Sequence, residues 1–425
     1  MTTMTDVLQD ILALGAPVLL PIVILVVGLV VRQRPGQALM SAMKIGIGFA
    51  LINVALGAFF DAIVPATTAM LERSGLHRDV IDVGWPTLAT IGWGSQFGIL
   101  VIPLFIVVNL IMLALKWTMT FNVDIWNFWH IAYAAALVTF ASQSFVLGLV
   151  AAVIVSVVVL RMADFTQKRL SEYIGVPGIS ITTLEMISHA WVAIGMNRLL
   201  DTAFPAMKRM DISLEGLRGR LGILAEPTLH GILVGALLGA LAGYRLPAIL
   251  SLAIMVAAIL HLFPMVVMIL LDGLKPLADS ASVFFKGRYA GRNLFIGMDW
   301  IILLKPETLA LGVLFVPIAL GLAFILPGVR VIPVIDMPFI GFVLSLALPY
   351  TNRNLLKTVV IGLVEVVVSL YVASAIAPFV TGAAQTANVA IPEGATLITG
   401  FLKGGDYFVS ALAGVASFIG NLFGG

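Results

Sequence analysis

The chain has 425 residues, of which 60% are hydrophobic and 11% charged, with a formal net charge of +2. A soluble domain carries about 25% charged residues, so at a mean hydropathy of +1.10 a large water-soluble core is excluded for want of polar surface to cover it. The near-balanced charge is not that of a nucleic-acid binder, and with no cysteine there is no disulfide framework, cysteine nucleophile or cysteine phosphoryl acceptor.

Uncharged runs at 11–31, 98–115 and 246–271 approach or exceed the roughly 18–20 residues that cross a ~30 Å hydrocarbon layer. The first follows Asp6 and Asp10, without a basic segment or a small-residue cleavage site. It reads as a retained helix rather than a signal peptide. In chain order, spans are expected near 11–31, 45–60, 98–115, 126–142, 144–163, 223–243, 246–271, 300–327, 331–350 and 358–380, with weaker pieces at 83–97, 178–197 and 397–423. Pieces 83–97 and 178–197 are rich in polar and helix-breaking residues and read as re-entrant or broken. The last reads as a final span or a helix on the interface. The expected fold is an all-α polytopic membrane protein, a single membrane domain over 1–425 with about 10–11 transmembrane helices.

Basic residues gather in three loops: Arg32, Arg34 and Lys44; Arg198, Lys208, Arg209, Arg218 and Arg220; and Lys275, Lys286, Arg288 and Arg292. The positive-inside bias turns these loops to the cytoplasm and leaves the N-terminus outside.

The halves echo each other. GILVIPLFI at 98–106 matches GVLFVPIAL at 312–320, and RPGQAL at 34–39 lies against RLPAIL at 245–250, pairing Pro35 with Pro247. The expectation is a first repeat over 10–200 and a second over 221–400, joined by a cytoplasmic loop near 198–220. On the same offset, the interrupted stretch DVGWPTLATIGWGSQFG (82–98) falls on IGMDWIILLKPETLALG (296–312), which is interrupted too. Broken backbone in lipid leaves N–H and C=O groups unpaired, so it survives only when buried in protein or lining a cavity. Paired interruptions in two halves point to a substrate site.

Ionisable groups within apolar segments are functional candidates. Asp299 stands beside Trp300; a carboxylate accepts hydrogen bonds from hydroxyls while a ring packs on C–H faces, a pairing suited to a sugar or polyol. Asp299 is equally suited to capping a helix. Asn127 and His130, in DIWNFWHIA, share a helix face at i, i+3, with Trp126 and Trp129 beside them. His189, near Thr182, Thr183 and Glu185, is either a site residue or a packed one. In the opening stretch Ser95 and Gln96 offer hydrogen bonds and Trp85 a ring. Glu226 and His230 read as a structural pair, and Glu365 stands isolated in GLVEVVVSL. The five histidines are scattered with no metal spacing, and no phosphate loop is present; no metal or cofactor is expected.

IDVGWPTLATIGWGSQFG, NVDIWNFWHIA, GVPGISI and the stretch from AEPTLHGILVGALLGALAGY through GLKPLADSA to GMDW resemble the galactitol-type enzyme IIC permeases of the bacterial phosphotransferase system, relatives of the ascorbate permeases. The resemblance runs from about residue 10 to 380. It implies two inverted repeats and a homodimer whose substrate-carrying core moves against a dimerisation domain, as an elevator. It also implies a multi-pass protein of the bacterial inner membrane. A polyol such as galactitol would be phosphorylated on delivery from a cysteine of a separate IIB subunit, itself served by IIA, so the phosphoryl donor lies on a partner. Through the ascorbate branch the resemblance carries a substrate role to His130 and Asp299. The second histidine of that branch follows GISI more closely than His189 does here. The expected substrate-binding set is thus Asp299, His130, Gln96, Trp85, Asn127, His189 and Ser95. The rival expectation is an ion-coupled secondary transporter that leaves a small polar solute unmodified.

Overall fold

The computed structural model describes residues 16–74, 78–122, 124, 128–209, 227–286, 294–298, 305–333, 335–336, 340–392 and 395–423. Helix α1 (Ala16–Val30) turns through Arg32 into the 40-residue α2 (Pro35–Ser74). Strand β1 (Val80–Asp82) leads into α3 (Gly84–Gly94), followed by α4 (Phe97–Ala114), β2 (Thr120–Asn122), α5 (Trp129–Ser142), α6 (Phe145–Ile174), β3 (Ile179–Ile181), α7 (Leu184–Ala203) and α8 (Pro205–Arg209). Then come α9 (Pro227–Leu241), α10 (Leu246–Lys286), β4 (Phe295–Met298), α11 (Pro306–Ile325), α12 (Gly341–Ser345), α13 (Ala347–Tyr350), α14 (Leu355–Thr386), β5 (Leu397–Thr399), α15 (Phe401–Gly404) and α16 (Tyr407–Phe423). Among the described residues, α6 and α14 are long and apolar enough to cross a membrane by length and composition.

Several local features of the first part of the chain have counterparts in the second. Arg32 N donates to Leu29 O and Gln33 N to Gly28 O; 211 residues on, Gly243 N donates to Ala240 O and Tyr244 N to Gly239 O. Arg32 and Gly243 both take positive φ, 63° and 73°. Helices α6 and α14 begin alike: left-handed Gln143 and Arg353 precede the caps Ser144 and Asn354, whose side chains accept from Leu147 N and Lys357 N. Helices α4 and α11 each carry an internal proline, Pro103 and Pro317. The hairpins α1–α2 and α9–α10 pack against each other through α2 and α10.

The expectation of an all-helical chain needs correcting. Where helices break, the backbone pairs as short parallel strands: β4 lies between β2 and β3, and β1 pairs with β5 and bridges Val331. Each central strand comes from one half and its flanking segments from the other. Extended segments cannot satisfy their own N–H and C=O groups, and no water is at hand in an apolar core to do so. The run 331–350 is not one span either. Val331, Ile332 and Pro333 are non-helical, and among the described residues two short helices follow; Pro333 and Pro338 lack the N–H a continuous helix needs.

Polar contacts define two ends of the molecule. At one, Arg161 donates to Trp117 O, Arg169 to Asn352 Oδ1 and Asn354 to Met207 O. At the other, Arg330 grips Asp79, Arg78 donates to the carbonyls of Ala323 and Phe324, and Thr396 donates to Asp79 O.

Candidate functional site

Helices α3, α7 and α15 begin within three residues of the ends of β1, β3 and β5. Val83 N donates to Thr399 O just before α3, and Thr182 N to Met298 O just before α7. Buried carboxylates hold this junction. Asp82 Oδ1 accepts from Gly84 N and Phe401 N, and its Oδ2 from Ile335 N and Asp336 N. Asp336 Oδ1 accepts from Trp85 N and its Oδ2 from Leu402 N. Gly84 takes φ +69° with the Ile335 side chain 2.4 Å from where a Cβ would stand, so only glycine fits.

Beside it lies an aromatic platform. Trp85 stacks on Trp129 with centroids 6.3 Å apart, and Trp129 on His130 at 3.8 Å. Helix α3 reaches α5 this closely because Gly92 faces the Trp129 carbonyl, 2.7 Å from a virtual Cβ.

A chain of buried ionisable groups starts at this platform. His130 Nδ1 is 3.1 Å from Glu185 Oε2, which is 3.9 Å from Lys403 Nζ; Lys403 reaches Asp406 at 3.5 Å and lies 5.8 Å from the Trp129 ring centroid. Asp406 accepts from Ser188 Oγ at 3.1 Å and caps α16 through Phe408 N and Val409 N. His189 contacts the Glu365 carboxylate, and Tyr407 Oη joins both, 2.7 Å from His189 Nδ1 and donating at 2.7 Å to Glu365 Oε2.

Three of these pairs share one spacing. Glu185 and Lys403, Ser188 and Asp406, and His189 and Tyr407 are each 218 residues apart and each in contact. They follow β3 and β5, which fill corresponding places in the element order. Chemically, the cluster offers carboxylates to accept from hydroxyls, an ammonium and imidazoles to donate, and indole faces for C–H groups.

Of the expected set, Trp85 and His130 belong to the platform and its chain of charges, and His189 to the group with Glu365 and Tyr407, next in sequence to Ser188 and Asp406. Ser95 and Gln96 belong to neither. They sit past the far end of α3, about 15 Å along its axis at 1.5 Å per residue, where they line a cavity of about 350 Å³ with Thr139, Gln143 and Thr386. Asn127, Asp299, Trp126, Trp300 and Glu226 lie outside the described residues. Glu365, isolated in the sequence, finds its partners in His189 and Tyr407. Lys403, Asp406 and Tyr407 went unnoticed in the sequence; the signal was a lysine and an aspartate inside the apolar stretch 397–423.

The comparisons with known proteins decide what kind of chain carries this network. Residues 10–394 match the EIIC-GAT family model, described as a PTS system sugar-specific permease component. The chain belongs to the EIIC-GAT family of phosphotransferase-system permeases. A "Putative permease IIC component" of Escherichia coli K12 is 33% identical over 419 residues, 97% of this chain and 91% of that protein. The "PTS system galactitol-specific EIIC component" of the same strain is 31% identical over 371 residues, 87% of this chain and 82% of that protein, and its counterpart in strain O157:H7 matches equally. As an EIIC permease it is a membrane protein whose family takes sugar substrates and works with IIB and IIA proteins.

Proposed function

We propose that this permease binds a neutral polyol, galactitol being the first candidate, at the Trp85–Trp129–His130 platform and delivers it to a phospho-IIB protein for phosphorylation. The single observation carrying this reading is the buried juxtaposition of that platform with Glu185 and Lys403: flat indole faces for C–H groups beside one acceptor and one donor for hydroxyls. Asp299, Asn127, Gln96, Ser95 and His189 remain candidates for further substrate contacts. The name of the galactitol-specific relative supports the substrate class.

The end carrying Lys116, Arg161, Lys168, Arg169, Arg353 and Lys357 faces the cytoplasm on the positive-inside rule, and the end with Arg78 and Arg330 faces outward. Strand β1 follows Asp79 at one end, whereas β2, to which β4 runs parallel, follows Trp117 at the other; this supports two halves that enter the core from opposite ends, as inverted repeats do. The core moves as an elevator against the α1–α2 and α9–α10 hairpins. Exposed Val26, Val54, Leu246 and Ile254 on those hairpins suit lipid or a second copy in a homodimer.

Chemistry follows from positioning. Phosphoryl transfer needs an oriented hydroxyl and stabilised charge; Glu185 or His130 accepts the hydroxyl proton as the phosphorus–sulfur bond of phospho-IIB breaks. The product phosphate then meets Glu185 and Asp406, like charges that disfavour rebinding.

The test is phosphoenolpyruvate-dependent phosphorylation of a radiolabelled polyol and sugar panel by membranes holding this chain with its soluble phosphotransfer proteins. A phosphorylated polyol supports the reading. Gradient-dependent uptake of unmodified solute overturns it and promotes the secondary transporter.

A further inference from the structure

We propose that Glu185 and Lys403 form a donor–acceptor pair that reads neighbouring hydroxyls of the substrate and so sets which polyols are accepted. The proposal rests on the platform being the substrate site.

Lys403 is 1% exposed and Glu185 7%. An ammonium carries three protons, and the hydrogen bond Lys403 makes among the described residues is the 3.5 Å contact with Asp406. That contact is to Asp406 Oδ2, at the long limit of a hydrogen bond, while Oδ1 accepts from Ser188 and from two backbone N–H groups of α16. Glu185 Oε2 is buried without a hydrogen-bond partner, as is His130 Nδ1 beside it, although the two are 3.1 Å apart.

Two desolvated opposite charges with unfilled hydrogen-bonding capacity are costly unless completed. At 3.9 Å the pair is too far apart to complete itself directly. A hydroxyl both donates and accepts, so a diol completes both members: one oxygen accepts from Lys403 and another donates to Glu185. The pair's charges cancel, so the ligand it suits is neutral. The Trp129 ring lies beneath the ammonium and offers an apolar floor for the carbon backbone. Because the members come from corresponding places in the two halves, each half contributes one to the same ligand.

The experiment is equilibrium binding of radiolabelled galactitol to the purified full chain in nanodiscs, with competition by mono-deoxy analogues, for wild type, Glu185→Gln and Lys403→Met. Wild type should discriminate against at least one deoxy analogue by roughly tenfold or more. Each variant should bind galactitol at least tenfold more weakly and lose that discrimination. Should either fail to fold, Glu185→Asp and Lys403→Arg shift the charge by about one bond length, and the ranking of analogues should change. Galactitol binding by wild type with unaltered discrimination in the variants overturns the pair alone. Equal weakening toward every analogue shows a structural role and overturns it too. Wild type that binds no polyol overturns the polyol reading, and the pair's role falls with it.

Discussion

Asp82 and Asp336 clasp each other's backbone: Asp82 accepts from the N–H of Asp336, and Asp336 accepts from the N–H of Trp85, three residues past Asp82. Each also accepts from the segment that opens α15. Three chain segments far apart in sequence are thereby tied at the start of α3. Asparagine at position 82 would turn an NH₂ group toward backbone donors. A hydrogen bond to a charged group contributes about 1.5–3 kcal/mol, and a stranded buried donor costs about 1–3 kcal/mol. Asp82→Asn should therefore lower stability by about 3 kcal/mol and weaken substrate binding through Trp85. Thermal unfolding of the purified protein in detergent checks the first part. An unchanged melting temperature would show the clasp to be dispensable.

Gly92 sets the distance between α3 and α5. A Cβ there would stand 2.7 Å from the Trp129 carbonyl and 3.2 Å from Tyr133 N, both backbone atoms that cannot swing aside. Gly92→Ala should force the helices apart at a cost of about 1–3 kcal/mol and tilt the indole that stacks on His130. Binding should weaken more than stability alone accounts for. Comparing the binding constant with the melting temperature separates the two, and a loss confined to stability would show that Trp129 keeps its place.

The fold and the candidate site were legible in the sequence to different depths. Apolar runs carry the long helices well: 98–115 was expected and Phe97–Ala114 is helical. They carry the breaks poorly. Residues 331–350 look like a span in composition, yet pairing across the molecule decides that Val331 bridges Val80. His130 and Trp85 were visible because polar or aromatic groups stand out against apolar neighbours. Lys403 sits in a stretch that reads as a chain-terminal helix, where a lysine at the interface is ordinary. The relation of Glu185 to Lys403 could not be read at all. In SITTLEMISHAW and ITGFLKGGDYFV, aligned at 218 residues, the charges are opposite and the side chains unlike; only the contact brings Glu185 and Lys403 together.

Tyr407 bridges His189 and Glu365 with one hydroxyl. Tyr407→Phe keeps the ring, whose edge-on contact with His189 has a centroid distance of 5.0 Å, and removes one hydrogen bond from a buried acid. The cost should be about 1–2 kcal/mol, a milder effect than Glu365→Gln, which also removes the charge facing the imidazole. In the phosphorylation assay the Phe variant should keep measurable activity and the Gln variant should lose most of it. The reverse order would place the hydroxyl, not the carboxylate, at the centre of this group.

At the end that carries Arg330, the hydrogen bond from Arg330 holds the Asp79 carboxyl below its ordinary value of 3.8, helped by the positive charges of Arg330 and Arg78. A lowered carboxylate value stabilises the fold above the unfolded-state value, and that contribution fades as pH falls through the depressed one. Both side chains are about half exposed, and exposed pairs contribute little. Asp79→Asn should leave melting near pH 7 almost unchanged and flatten only the acid limb of a stability profile. A large loss at neutral pH would mean that the pair does more than join two surface segments.

The chain has no cysteine, so a single introduced thiol reports its own side of the membrane. Ala203 ends α7, at the end where Asn354 reaches Met207 O; Ala390 follows α14 near the opposite end, where Thr396 donates to Asp79 O. Both are exposed. If the basic end is cytoplasmic, Ala390→Cys should react with a membrane-impermeant maleimide in intact cells with a permeable outer layer, and Ala203→Cys should react only in inside-out vesicles. Phosphorylation activity retained by both variants ensures that the labelled protein is the working one. The opposite pattern would invert the molecule and move the IIB-facing end to Arg78 and Arg330. Labelling of both residues from one side would break the proposed arrangement in which β1 and β4 enter the core from opposite ends.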